Sequence, residues 1–155
     1  MRRQEKETGC IFCKAAAMDD GIDNLIVHRS QLGFVILNRY PYTSGHVMVV
    51  PYCHKCSFED LDQSTRSELM ELINLSARAL RAAVTPDGLN VGSNIGSAAG
   101  AGVTTHVHFH VVPRWGGDAN FMSTVGEVRV IPEDLGETYQ RLKVEFERLT
   151  KKMTG

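Results

Sequence analysis

No run of about 18 apolar residues occurs anywhere in the chain, which excludes a membrane-spanning helix of ordinary length. Nor is there a surplus of charge of either sign. Seventeen Lys and Arg against 18 Asp and Glu leave a formal net charge of −1, too little for bulk attraction to nucleic acid or to an anionic membrane. Neither is expected as a partner, and any polyanionic ligand must be held by local groups. The opening MRRQEKETGC is charged and lacks the apolar segment of a secretory signal, so a cytoplasmic protein is expected. Internal repeats, linkers and a magnesium motif are absent as well. Cysteines are few, and in a reducing compartment four of them read as metal ligands or plain thiols before disulfides. With 43% hydrophobic and 23% charged residues over 155 positions, the chain reads as one globular domain that needs no covalent staples. Residues 1–9 read as a flexible tail.

Strand signals fall at NLIVHR (24–29), GFVILN (33–38) and HVMVV (46–50), with RYPYTSG (39–45) as a connecting turn. From Asp62 to Val84 the residues Leu69, Leu72, Ile73, Ser76, Leu80 and Ala83 recur at helical spacing, and Thr65 with Glu68 resembles a capping box. TPDG (85–88) stops that helix. LNVGSN (89–94) reads as a strand, VRVIP (128–132) as a short apolar piece, and a last amphipathic helix carries Tyr139, Leu142, Phe146 and Leu149. The expected class is α+β, a mainly antiparallel sheet of about five strands with two principal helices on one face.

HVHFHVV (106–112) places three of the six histidines at strict alternation among valine and phenylalanine. On a strand, His106, His108 and His110 would form one row, neighbours roughly 7 Å apart, with the apolar residues on the opposite face. Imidazole can act as nucleophile, proton carrier or metal ligand near neutral pH, and the row alone does not choose between a metal site and covalent catalysis. Just upstream, GLNVGSNIGSAAGAG (88–102) brings Gly100, Gly102, Asn90, Asn94 and Ser97. Glycine-rich backbone can approach an anion closely and turn several N–H groups toward it. A phosphate beside a row of imidazoles is therefore a coherent arrangement.

These residues resemble the His-x-His-x-His-x-x signature of the histidine-triad (HIT) nucleotide-binding proteins. The likeness extends to LNRYPYTSGHVMVVP (37–51), LNVGSNIG (89–96) and VVPRW (111–115) in the family's order. Within the superfamily, GAGVTTHVHFHVVPRWGGDANFM is most similar to the bacterial diadenosine tetraphosphate phosphorylases. The resemblance implies a nucleotidyl transferase or hydrolase in which His108 attacks the α-phosphorus and forms a nucleotidyl-histidine intermediate. His110 would stabilise charge on the transferred group, and His46 would face the α-phosphate. Asn38 would take the ribose hydroxyls, while Ile36 and Met48 would flank the base or simply fill core. Asn94 stands where the family's dinucleoside polyphosphate hydrolases carry glutamine. Homodimers that join their sheets into one are implied too, with the 62–84 helix and its neighbouring strand at the interface.

Two C-x-x-C pairs, Cys10/Cys13 and Cys53/Cys56, could together form a four-thiolate zinc site. The family resemblance implies a different set, Cys10, Cys13, His54 and His106, with residues 10–18 as a knuckle and a structural zinc, one per chain. Cys53 and Cys56 would then be plain thiols. Arg114 reads as a phosphate contact or as a solvated charge. Trp115 could cover a substrate or enter a dimer contact.

Overall fold

The computed structural model describes residues 9–118 and 134–154. Its elements run α1 (Ile11–Ala17), β1 (Ile26–Arg29), β2 (Gly33–Leu37), β3 (Val47–Pro51), α2 (Gln63–Val84), β4 (Gly88–Gly92), β5 (Phe109–Arg114) and α3 (Leu135–Met153), with single 3-10 turns at Phe58–Asp60 and Ser97–Ala99. The five strands make one antiparallel sheet in the order β1-β2-β3-β5-β4. The expected α+β architecture is the observed one. VRVIP (128–132) lies outside the described residues, as do residues 119–124 of the loop after Trp115.

Alternation along the strands assigns the faces. Val35, Leu37, Val47, Val49 and Val111 share the face that carries α2, and all five are buried. Helix α2 presents Leu69, Leu72, Ile73, Ser76 and Leu80 to that face, as its periodicity predicts, and Ala83 is half-buried. Helix α3 lies beside α2 and over β1, burying the predicted Tyr139, Leu142, Phe146 and Leu149. The approach of α2 is close enough that Gly33 is required. A Cβ there would stand 2.8 Å from the Val50 carbonyl and 3.0 Å from a Leu69 methyl.

Two local expectations change. The cap of α2 is Asp62, whose carboxylate accepts the Thr65 N–H at 2.7 Å. Glu68 accepts from the Leu32 N–H at 2.6 Å instead of closing a capping box. The Thr65 N–H that a capping box would bring to Glu68 is already taken by Asp62, which leaves Glu68 to serve a backbone donor in the β1–β2 turn. The histidine strand also starts later than its pattern suggests. Regular pairing begins at Phe109, so His106 and His108 precede β5. Among the described residues no helix is long and apolar enough to cross a membrane.

Candidate active site and metal cluster

The face opposite α2 gathers the chemistry. Met48 pairs with Ile36 on one side and with His110 on the other, and His110 pairs with Gly92, so these residues stand in one line across four strands. Ile36 and Met48 are buried, as either reading of them requires. His46 stands one step before β3 on the same face. It is delivered by Gly45, whose φ of +88° strains any larger residue and whose added Cβ would stand 3.2 Å from a Leu80 methyl. Asn38 follows β2 and approaches His46 from the other strand.

Hydrogen-bond partners fix which nitrogen of each ring carries the proton. The Tyr42 N–H donates to His46 Nδ1 at 3.2 Å, and the Asn38 amide lies 3.4 Å from the same atom. His46 Nδ1 is thus the acceptor and its Nε2–H donates to His110 Nδ1 at 2.9 Å. Neutral His110 is then left with its proton on Nε2. His108 Nδ1 lies 2.9 Å from the His106 carbonyl. A carbonyl only accepts, so Nδ1 donates and Nε2 keeps its lone pair. The rings of His108 and His110 sit edge to face at 5.0 Å.

Burial keeps this group uncharged. It lowers the pKa of His46 to about 4, with the neighbouring His110 and His108 adding to the effect. Burial also lowers His108 and His110, the latter helped by His108. A neutral imidazole with a lone pair beside a neutral N–H donor is competent for nucleophilic attack on a polarised centre.

His106 is turned the other way. Its Nε2 donates to the Pro51 carbonyl at 2.9 Å, leaving the Nδ1 lone pair 3.2 Å from Cys10 Sγ and 3.7 Å from Cys13 Sγ. Cys13 Sγ also lies 3.4 Å from His54 Nδ1. One donor atom from each of Cys10, Cys13, His54 and His106 falls within 4.8 Å of the others. A tetrahedral zinc with Zn–S of about 2.3 Å and Zn–N of about 2.0–2.1 Å needs S···N edges of roughly 3.5 Å, so the three measured edges fit. A backbone carbonyl on the far ring nitrogen is the usual orienting contact of a metal-ligating histidine. Cys53 and Cys56 are exposed, free thiols outside the cluster.

The other expected ligands make contacts of their own. Arg114 is held by Asp118 through two nitrogens at 2.6 and 2.8 Å, and by Asn90 at 2.8 Å. Asn94 is exposed, with its amide 3.5 Å from the Gly100 carbonyl. Gly100 is exposed and left-handed at φ +84°, and Gly102 is exposed. Trp115 is half-buried, its N–H on Asp118. A cavity of about 390 Å³ opens between Tyr42, Asn90, Val112 and Arg114.

Sequence reasoning passed over three contributors. Tyr42 stacks on His46 at 5.0 Å and sets its tautomer. The Ser93 hydroxyl donates to the His108 carbonyl at 2.7 Å. Phe12 lies against both His106 and His108. Only the Cys-x-Phe-Cys context of Phe12 was visible in advance, and nothing in it pointed to the histidines.

This sheet and its cluster of neutral imidazoles define a histidine-triad protein. The HIT domain model matches residues 20–117, and the chain belongs to the HIT family. It is 44% identical over 126 residues to the AP-4-A phosphorylase of Mycobacterium tuberculosis, an alignment covering 81% of this chain and 65% of that protein. The chain thus spans just under two thirds of that relative's length. The crystal structure of a Zn-bound histidine triad family protein from Mycobacterium smegmatis superposes with a TM-score of 0.73 at 29% identity, covering 92% of this chain and 96% of the other. A hypothetical histidine triad nucleotide-binding protein from Sulfolobus tokodaii gives 0.74 at 27% identity, with coverage of 92% and 95%.

Proposed function

We propose that the protein is a nucleotidyl transferase that splits diadenosine tetraphosphate with inorganic phosphate, giving ADP and ATP. The observation that carries this reading is the tautomer pattern, in which His108 offers a lone pair at Nε2 beside a proton on His110 Nε2. His108 Nε2 attacks the α-phosphorus, an N–P bond forms, and the P–O bond to the leaving ATP breaks with its electron pair staying on the nucleotide. His110 donates its N–H to an oxygen of the group in transfer, where negative charge develops. Inorganic phosphate then attacks the adenylyl-histidine, restoring the lone pair and releasing ADP. His46 acts through His110, holding its Nδ1 by a 2.9 Å bond; this differs from the direct phosphate contact that the resemblance implies for it.

Asn38 takes the ribose hydroxyls with its amide, Ile36 and Met48 wall the base, and the Asn94–Gly102 segment lines the path of the polyphosphate. Cys10, Cys13, His54 and His106 hold one structural zinc per chain, which ties the N-terminal knuckle to the segment leading into β5. With four protein donors around it, an ion held there would serve structure and would not activate water. Two chains pair through the outer edge of β4 and the adjoining α2. The AP-4-A phosphorylase name of the 44% identical relative supports this choice of substrate and acceptor.

The test is product analysis of diadenosine tetraphosphate incubated with the protein, with and without inorganic phosphate. ADP and ATP formed only with phosphate are the expected result. AMP and ATP formed in water would assign a dinucleoside polyphosphate hydrolase, and turnover of nucleoside phosphoramidates alone would assign a phosphoramidase. Nucleotide binding with no turnover of any of these would leave a zinc-containing binding module.

A further inference from the structure

Two links run from the Cys10/Cys13/His54/His106 cluster to His108. One is the main chain: His106 gives its ring Nδ1 to the thiols and its carbonyl oxygen to His108 Nδ1, 2.9 Å away. The other is Phe12. It stands between the two thiols in sequence, on the seven-residue α1 that starts directly after Cys10. Its side chain is 2% exposed. Its ring meets His106 edge to face at 5.5 Å and lies tilted against His108 at 4.9 Å.

Helix α1 is too short to hold itself. Its N-cap makes no side-chain hydrogen bond, its first turn has no acidic residue, and only Phe12 and Ala15 are buried. Asn24 and Arg29 hold the carbonyls at its C-terminal end, and the Cys10/Cys13/His54/His106 cluster holds the N-terminal turn that carries Phe12. Rotation about the last side-chain torsion of histidine is broad and roughly two-fold. A half-turn of the His108 ring would put carbon where Nδ1 now meets the carbonyl and leave the tautomer unset. The rings packed against it are Phe12 at 4.9 Å and His110 at 5.0 Å, and of these Phe12 is the one carried by the cluster's own helix.

We propose that the metal site orders the nucleophile, and that Phe12 is the positioning residue through which it does so. With both thiols clamped to His54 and His106, the Phe12 ring holds the His108 imidazole with Nδ1 on the His106 carbonyl and Nε2 free to attack. This inference rests on the reading of His108 as nucleophile.

The experiment compares zinc-loaded wild type, Phe12→Leu and Phe12→Ala, together with chelator-stripped wild type. Long-range proton–nitrogen NMR correlations at neutral pH read the His108 tautomer without any turnover. Zinc content and circular dichroism accompany each sample. In the wild type the proton sits on Nδ1. In Phe12→Ala and in the stripped protein a mixture of tautomers is expected, with zinc retained in the variant and AMP affinity within about threefold. There kcat falls by about 10- to 100-fold at nearly constant KM, the signature of lost transition-state geometry. Phe12→Leu keeps most of the bulk and recovers part of the loss. Should Phe12→Ala or the stripped protein unfold, Phe12→Leu decides by the same readout.

An unchanged tautomer and unchanged kcat in the variants would overturn the proposal. So would a rise in KM alone, which would make Phe12 a wall of the base pocket. If the wild type itself turns over no diadenosine tetraphosphate, the proposed reaction fails. The tautomer measurement would still report whether metal and Phe12 control His108.

Discussion

His108 and His46 are the same side chain set to opposite tasks by one neighbouring atom each. The carbonyl on His108 Nδ1 frees Nε2 for attack, whereas the N–H on His46 Nδ1 makes Nε2 a donor to His110. On the proposed mechanism, His108→Ala removes the nucleophile and leaves the base pocket intact. It is expected to abolish turnover while nucleotide affinity stays within about tenfold. Rapid-quench assays with substrate radiolabelled in the adenosine would show whether the adenylylated intermediate disappears with it; full activity in the variant would end the covalent mechanism. His46 adds a pH dependence. Its pKa falls from 6.5 to about 4 on folding, so between those values the unfolded chain binds more protons than the folded one. Stability therefore rises with pH through this window and is lost as pH drops from about 6.5 toward 4. The contribution of His46 amounts to about 2 kcal/mol between pH 7 and pH 5. Denaturant titrations at the two pH values should show His46→Asn losing correspondingly less stability on acidification than the wild type. Equal losses would mean that His46 is not held neutral by burial.

At the scale of elements, the alternating pattern of HVHFHVV announced an extended segment with histidines together, but not where pairing starts. Val49 faces Phe109 in the β3–β5 register. That pairing depends on the whole course of the chain between residues 49 and 109, which no local pattern encodes. The same register brings Met48 and His110 side by side and so allows the His46–His110 bond, legible only once the strand order is known. Helices α2 and α3 were legible because a period of 3.6 is written in each of them separately. Their capping was less so, since Glu68 serves a donor 36 residues away. The two C-x-x-C pairs differ for a physical reason. Cys10 and Cys13 sit at the start of a helix packed against His106, while Cys53 and Cys56 lie exposed between β3 and the Phe58–Asp60 turn. The spacing alone treats the pairs as equals, and only the family resemblance preferred the mixed ligand set. Changing both Cys53 and Cys56 to Ser should leave about one zinc per chain by elemental analysis. Loss of metal in that variant would favour the four-thiolate site.

At the scale of the whole molecule, among the described residues strand β4 pairs with β5 alone, and its Asn90, Val91 and Gly92 are exposed, Val91 at 52%. An unpaired edge with an apolar residue invites another strand unless it is charged, bulged or covered. Val91 pairs with Val111, so its side chain points to the face that carries α2. A second copy joined edge to edge would therefore meet this chain along β4 and α2 together, in the self-complementary contact of a two-fold dimer. Light scattering should give twice the mass of one chain. Val91→Lys places a like charge from each copy near the shared edge and should shift the population to monomer. Because the side chain is already exposed, melting temperature at matched oligomeric state should move little. A monomeric wild type, or a dimer indifferent to the lysine, would place the contact elsewhere on the molecule.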